Sequence, residues 1–161
     1  MDERPRTLCG RSDSHGLHLL VAGLILLLTG CGKSADQPLA NFSQDIKSSQ
    51  NALTVKADGV ATFPVTVKNT GTEIWPASTD GQYAVTWSYV WEQDGHYVPI
   101  EGRRTALLED LPSGRSQTLN ASIMAPPVPG MYTLRLTMVQ ERIAWFYGKG
   151  GKTFDLPVVV N

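Results

Sequence analysis

The sequence predicts an all-β fold of about seven strands, arranged as two antiparallel sheets packed face to face. Three observations carry that expectation. Between residues 51 and 161, apolar and polar residues alternate with a period of two, which puts alternate side chains on one face of a strand. Gly, Pro, Asn and Asp interrupt the alternation at short intervals. The segment is roughly 110 residues long, the size of one sandwich domain.

The elements follow in order. Ala61, Phe63, Val65 and Val67 form one apolar row, opposed by Thr62, Pro64, Thr66 and Lys68. Val85, Trp87, Tyr89 and Trp91 form the next, opposed by Thr86, Ser88, Val90 and Glu92. Leu119, Ala121 and Ile123 make a third row, and Tyr132, Leu134, Leu136 and Met138 a fourth. Phe154, Leu156, Val158 and Val160 close the chain. Weaker strands are expected at 53–57 and 96–100. Gln93-Asp94-Gly95 reads as a tight hairpin turn in which Gly95 supplies φ > 0. Leu111-Pro112-Ser113-Gly114 is a second turn, and residues 126–130 form a proline-stiffened crossover. Pro64 and Pro157 each remove a ladder donor, so their strands are expected at sheet edges or bulges. No segment after Asn51 shows a helical period.

Several stretches resemble bacterial immunoglobulin-like accessory domains. They are Val65-Thr66-Val67-Lys68-Asn69-Thr70-Gly71 with Trp75-Pro76, Trp87-Ser88-Tyr89-Val90-Trp91 with Asp94-Gly95, and Pro129-Gly130-Met131-Tyr132-Thr133-Leu134-Arg135-Leu136. The resemblance runs from about residue 53 to 160 and implies an immunoglobulin-like antiparallel β-sandwich. Tyr132 stands where a tyrosine corner would begin. The chain departs from antibody-type domains in lacking the paired core cysteines, so the sandwich must rest on its aromatic core.

The N-terminus has a different character. Arg4, Arg6 and Arg11 precede a leucine-rich run from Leu19 to Leu28, which ends in Leu28-Thr29-Gly30-Cys31. The run is shorter than the roughly 20 residues a spanning helix needs. A short apolar run after basic residues and before small ones is the secretory pattern. The string resembles the lipobox of bacterial lipoprotein precursors. That resemblance implies a signal peptide over 1–30, cleavage before Cys31, and a membrane anchor of lipid on the Cys31 thiol. Gly32 follows the cysteine, which by the same resemblance favours the outer membrane over the inner. Residues 31–50 read as a flexible tether, since Gly32 to Pro38 is small and polar. Leu39, Phe42 and Ile46 within it offer one weak amphipathic turn. The domain is expected over 51–161.

Composition narrows the function. The chain has 14 Lys and Arg against 15 Asp and Glu, a net charge of −1. Loss of residues 1–30 removes three of each sign and leaves 11 against 12. That balance argues against nucleic acid, which needs a basic stripe. Beyond the leader only Cys31 and His96 remain of their types, so neither a Cys/His zinc site nor a two-histidine motif can form. No metal or cofactor is expected. Gly151-Lys152-Thr153 lacks the earlier glycine of a phosphate loop, because Phe146 stands there, and it precedes a strand instead of a helix. His96 lacks the strand–turn–helix setting of a nucleophilic triad. The acids Glu92, Asp94, Glu101, Glu109 and Asp110 read as solvated turn residues, because paired-carboxylate hydrolysis needs a deep cleft.

The aromatics are the remaining signal. Trp145-Phe146-Tyr147 cannot all point inward from a strand, and Gly148 to Lys152 follow with Lys149 and Lys152. This loop either stacks on a sugar or anchors a protein partner, or else covers the end of the sandwich. Trp75 beside Pro76 carries the same choice. The expectation is a lipid-anchored envelope protein with no enzymatic activity, acting as a protein-interaction or assembly accessory module. The alternative is a carbohydrate- or peptidoglycan-binding module.

Overall fold

The computed structural model describes residues 37–77 and 82–161. The leader, Cys31 and residues 32–36 lie outside the described residues. The strands are β1 (Gln44–Ser48), β2 (Leu53–Val55), β3 (Val60–Asn69), β4 (Val85–Gln93), β5 (His96–Val98), β6 (Thr105–Ala106), β7 (Ser116–Met124), β8 (Gly130–Gln140), β9 (Ala144–Trp145) and β10 (Phe154–Val160). One sheet has the order β1-β3-β7. The other has the order β2-β10-β8-β4-β5, with β6 also on β4 and β9 on β8. All pairs are antiparallel except β2 with β10. This is an immunoglobulin-like β-sandwich, in which the first strand starts in one sheet and finishes beside the last strand in the other. The strands beyond the expected seven are mostly two or three residues long, too short to show a period.

The core lies between the sheets. Phe63, Val65 and Val67 of β3 and Leu119, Ala121 and Ile123 of β7 face Trp87, Tyr89 and Trp91 of β4 and Leu134, Leu136 and Met138 of β8. Aromatic rings form a continuous row along the second sheet. The centroid separations are 5.7 Å for Trp87–Tyr89, 6.0 Å for Tyr89–Trp91 and 5.9 Å for Trp91–Tyr132. Such tilted and edge-on pairs add about 0.5–1.5 kcal/mol each beyond their buried area. The row also ties the sheets together, because Tyr89 Oη accepts from Met124 N (2.8 Å) and Trp91 Nε1 donates to Met124 O (3.1 Å). Tyr132 Oη donates to Val128 O at 2.8 Å, the tyrosine corner anticipated at that residue. The Asp94-Gly95 turn has φ of 50° and 78°, the two left-handed residues a tight hairpin needs.

The prolines of β3 and β10 have a more specific role than edge placement. Asn69 N donates to Arg115 O, and Ala125 N to Gly59 O, so odd positions of β3 bond to β7. Even positions therefore turn toward β1, and Pro64 presents its missing N–H on that side. The β1 ladder ends there, with Ser48 opposite Val65. On β10, Asn161 N donates to Val55 O, so Pro157 faces β2, whose ladder begins one residue on, with Leu53 opposite Val158. Both strands are internal to their sheets, and each proline marks where a flanking strand stops or starts.

The structure corrects the expected tether over 31–50. From Gln37 onward that segment belongs to the domain. Leu39 and Ile46 are buried, and Phe42 packs on the core. Two buried glutamines hold it. Gln44 Oε1 accepts from Met138 N (2.8 Å), while its Nε2 donates to Thr137 Oγ1 (3.1 Å) and Lys152 O (2.7 Å). Gln140 Oε1 accepts from Leu39 N (2.9 Å), and its Nε2 donates to Gln37 O and Tyr83 O. A polar composition reads as solvated until its partners are known. Gln44→Ala is expected to cost about 2–3 kcal/mol, because buried backbone groups on β8 and at Lys152 lose their partner. A fall in the urea midpoint with an unchanged slope checks it.

Candidate functional site

The candidate site is the outer face of the larger sheet, where β9 flanks β8 and the segment 99–106 runs beside β4. The sequence places Thr86, Ser88 and Val90 on an outward row, yet all three are buried. The flanking segment explains this. At Gly102 the segment is pressed against β4, and a Cβ would run into the Tyr89 carbonyl oxygen, so only glycine fits. Arg104 then reaches across the face. Its Nη1 donates to Ser88 Oγ (3.1 Å) and Gly102 O (2.7 Å), and its Nε to Glu141 Oε1 (3.1 Å). Thr86 Oγ1 donates to the same Glu141 oxygen at 2.6 Å. The guanidinium carbon stands 4.7 Å from the centre of the Trp145 ring, a cation–π contact.

The aromatic triplet divides as its alternation requires. Trp145 is half-buried on the outer face, opposite Val139. Phe146 turns inward and is fully buried, edge-on to Phe42 (5.1 Å) and Trp75 (5.2 Å). Tyr147 returns to the surface, its ring 5.8 Å from Trp145. The chain then makes a 3-10 turn over Tyr147–Lys149 and leaves it through Gly150 at φ 86°. Gly151 follows, pressed against Phe42 O and Phe146 O, where a Cβ would sit at 2.6 and 2.9 Å.

Two of the residues singled out in the sequence are therefore not surface groups. Phe146 plugs the end of the sandwich. Trp75 is buried, paired with Leu111 through backbone bonds of 3.0 and 2.9 Å in the two directions. Both are large apolar side chains at the open end of a sandwich, where sealing the core outweighs exposure. Lys149 and Lys152 are exposed. Cys31 lies outside the described residues.

A pocket of about 350 Å³ opens on this face, lined by Tyr97, Pro99, Glu101, Gly102, Arg104 and Trp145 among others. Tyr97 is 59% exposed, and Glu101 points into solvent. Next to it, Arg135 on β8 links three strands. Its Nη1 donates to Glu92 Oε1 (2.6 Å), and its Nε and Nη2 grip Asp155 Oδ1 and Oδ2 (3.0 and 2.8 Å). That hydrogen bonding holds the Asp155 carboxyl below its ordinary range, against partial burial, with the Thr153 side chain helping. Arg135 is raised above its usual value, first by the bond to Asp155 and then, against burial, by the charges of Asp155 and Glu92. Tyr97, Arg104, Arg135 and Glu141 were not singled out in the sequence. Tyr97 alone carries a signal, as the outward residue of a short strand after a hairpin turn. Among the described residues, no three His, Cys, Asp or Glu side chains cluster to hold a metal ion.

No protein-family model matches the sequence, and comparison with curated proteins finds no match. Solved structures give distant likenesses. The solution structure of the CARDB domain of PF1109 from Pyrococcus furiosus is 19% identical with a TM-score of 0.40, over 73% of this chain and 92% of that one. A crystal structure of that domain in complex with di-metal ions is 18% identical with a TM-score of 0.39, over 74% and 86%. A family 123 glycoside hydrolase from Clostridium perfringens is 9% identical with a TM-score of 0.36, the match covering 73% of this chain and 27% of the enzyme. At these scores no ligand or activity is carried across, and the fold stands on the strand order above.

The Asp155 pair gives a test with a definite sign. A carboxylate whose pKa is lowered by folding stabilises the fold above its unfolded pKa, and that contribution is lost as pH falls through the folded value. Asp155→Asn is expected to cost about 0.5–1 kcal/mol at neutral pH, the pair being partly exposed. The difference from the parent should close in acid. Urea unfolding of both proteins across that pH range measures it.

Proposed function

We propose that this chain is a lipid-anchored, non-catalytic interaction module of the bacterial cell envelope, held by lipid on Cys31 with the outer membrane favoured. In this reading it binds an envelope protein through the outer face of its larger sheet. One observation carries the binding part: Tyr97, Arg104 and Trp145 line one pocket, and the Tyr147 ring stands 5.8 Å from Trp145 beside it. Tyr, Trp and Arg are the residues that dominate binding energy at protein interfaces. Arg104 is spent on internal partners, so it stiffens this surface and is not a free anion site. The anchor rests on the string Leu28 to Cys31 and on acyl burial, at about 0.8 kcal/mol per methylene.

The exposed Tyr97 beside Glu101 also favours a second reading, a small glycan or peptidoglycan fragment in the pocket. Against it, Arg104 already covers one face of Trp145, which removes a stacking platform. Crosslinking in intact envelopes separates the two. A discrete protein adduct is expected for the parent and a loss of at least about tenfold for Tyr97→Ala with Tyr147→Ala, as for hot-spot truncation. A tryptophan fluorescence change on titration with cell-wall fragments, with no protein adduct, would favour the glycan. Cys31→Ser is expected to move the protein from membrane to soluble fractions, and failure to do so would sink the anchor.

A further inference from the structure

The smaller sheet ends in a long uncharged strand with no ladder partner on its outer side among the described residues, although β6 packs nearby. Strand β7 ends the order β1-β3-β7, and among the described residues no strand pairs with its outer side. Edges invite pairing with another chain, and proteins blunt them with charge, proline or short length. The other edges here are blunted. Strand β1 carries Asp45 and Lys47, and β2 and β5 are three residues each, with Pro99 directly after β5. Strand β7 is nine residues, Ser116–Met124, with no proline and no charged side chain.

Its hydrogen-bonding positions can be assigned. Arg115 and Ala125 both bond to β3, so odd positions face β3 and even positions turn their N–H and C=O outward. The two ends of this row are closed. Met124 has both backbone groups taken, by Tyr89 Oη and Trp91 Nε1. At the other end, the Gln117 side chain binds Leu108 N and Glu109 O, holding that loop at the strand. Between them lies a window of three outward positions, Thr118, Asn120 and Ser122, whose side chains are small and neutral on the outer face.

We infer that this window pairs with its own counterpart in a second copy of the chain, antiparallel about a two-fold axis through Asn120. The window is self-complementary. The axis sets Asn120 against Asn120 and Thr118 against Ser122, pairs that hydrogen-bond across strands and bring no like charges together. Its odd residues, Leu119 and Ala121, stay buried in their own cores. Met124 bars a shift toward its end, because its groups are already committed, and the loop held by Gln117 stands in the way of a shift toward the other. The result is one continuous sheet of six strands across two copies, with the pocket faces of both left free.

Cysteine crosslinking in the full chain, oxidised in intact bacterial cells, tests this. Directly opposed residues in such a pair have Cα atoms about 5.5 Å apart, inside the roughly 4.4–6.8 Å range of a disulfide. Asn120→Cys is expected to give a disulfide dimer at least about fivefold above Asp94→Cys, a control on the exposed β4–β5 turn. Thr118→Pro leaves the β3 ladder intact, removing an outward N–H and the exposed side-chain bond to Thr66, and should abolish the dimer in the Asn120→Cys background. Ser122→Lys, which removes no ladder bond, should do the same if the proline variant fails to fold. An Asn120→Cys dimer no stronger than the control would overturn the inference. So would a dimer indifferent to both edge variants, or an adduct to a different protein in its place. Tyr97→Ala should leave the dimer intact.

Discussion

The fold depends on how its first strand is shared between two sheets that no disulfide joins. Strand β1 pairs with β3 up to Pro64, and the chain then crosses to pair with β10 from just beyond Pro157. The crossover falls between Ser48 and Leu53, and a separate gap lies at the other end of β10, where its ladder to β8 stops. Gln44, at the start of β1, fills that gap. Beyond Phe154, β10 no longer pairs with β8, and the Gln44 amide takes over Met138 N and Lys152 O. One buried amide thus does the work of a missing ladder step. It joins the smaller sheet to the larger, where an antibody domain would use a covalent bridge. In the same way Asn69, fully buried, donates to Glu73 O and Leu111 O and accepts from Gly71 N, fixing the turn after β3. Buried polar groups of this kind are costly when half satisfied and specific when complete.

How legible this was in the sequence varied with the physics. The long strands were plain, because a strand with one buried face writes a period of two, as Phe63, Val65 and Val67 do. The tyrosine corner and the Asp94-Gly95 turn were plain because each depends on local chemistry. Strand β1 was not legible. Its anchor residues are Gln44 and Ile46, and a buried glutamine looks like a solvated one until a partner 94 positions away, Met138, is in place. The burial of the outer row of β4 was not legible for a related reason. Thr86 and Ser88 are polar, yet Arg104 and Glu141 supply their partners, and no local pattern announces side chains that reach across a sheet from neighbouring segments.

The aromatic loop shows the same limit at the site itself. Alternation alone said that three consecutive aromatics must divide between inside and outside. It did not say which way, because the direction is set by β9 pairing with Val139 on β8. Once that register is fixed, Phe146 must enter the core and Trp145 and Tyr147 must leave it. The core then takes the largest buried surface it can, with Phe42 and Trp75 closing on Phe146. What remains outside is not a flat hydrophobic face but a Trp ring already capped by an arginine. A surface so arranged is stiff before any partner arrives, which lowers the ordering cost of binding.

The reassignment of residues 37–50 from tether to domain also changes what a lipid on Cys31 would mean. A flexible link from Cys31 to residue 51 could reach ~70 Å at full extension, at roughly 3.5 Å per residue. With Gln37 O and Leu39 N already held by Gln140, only the stretch from Cys31 to Gln37 remains, and its reach is ~20 Å. A domain on so short a lead would stay within about its own diameter of the bilayer. It could not reach a partner far from that bilayer. Whatever meets the Tyr97 face would itself have to stand at the membrane surface, which is where a second anchored copy would also be found.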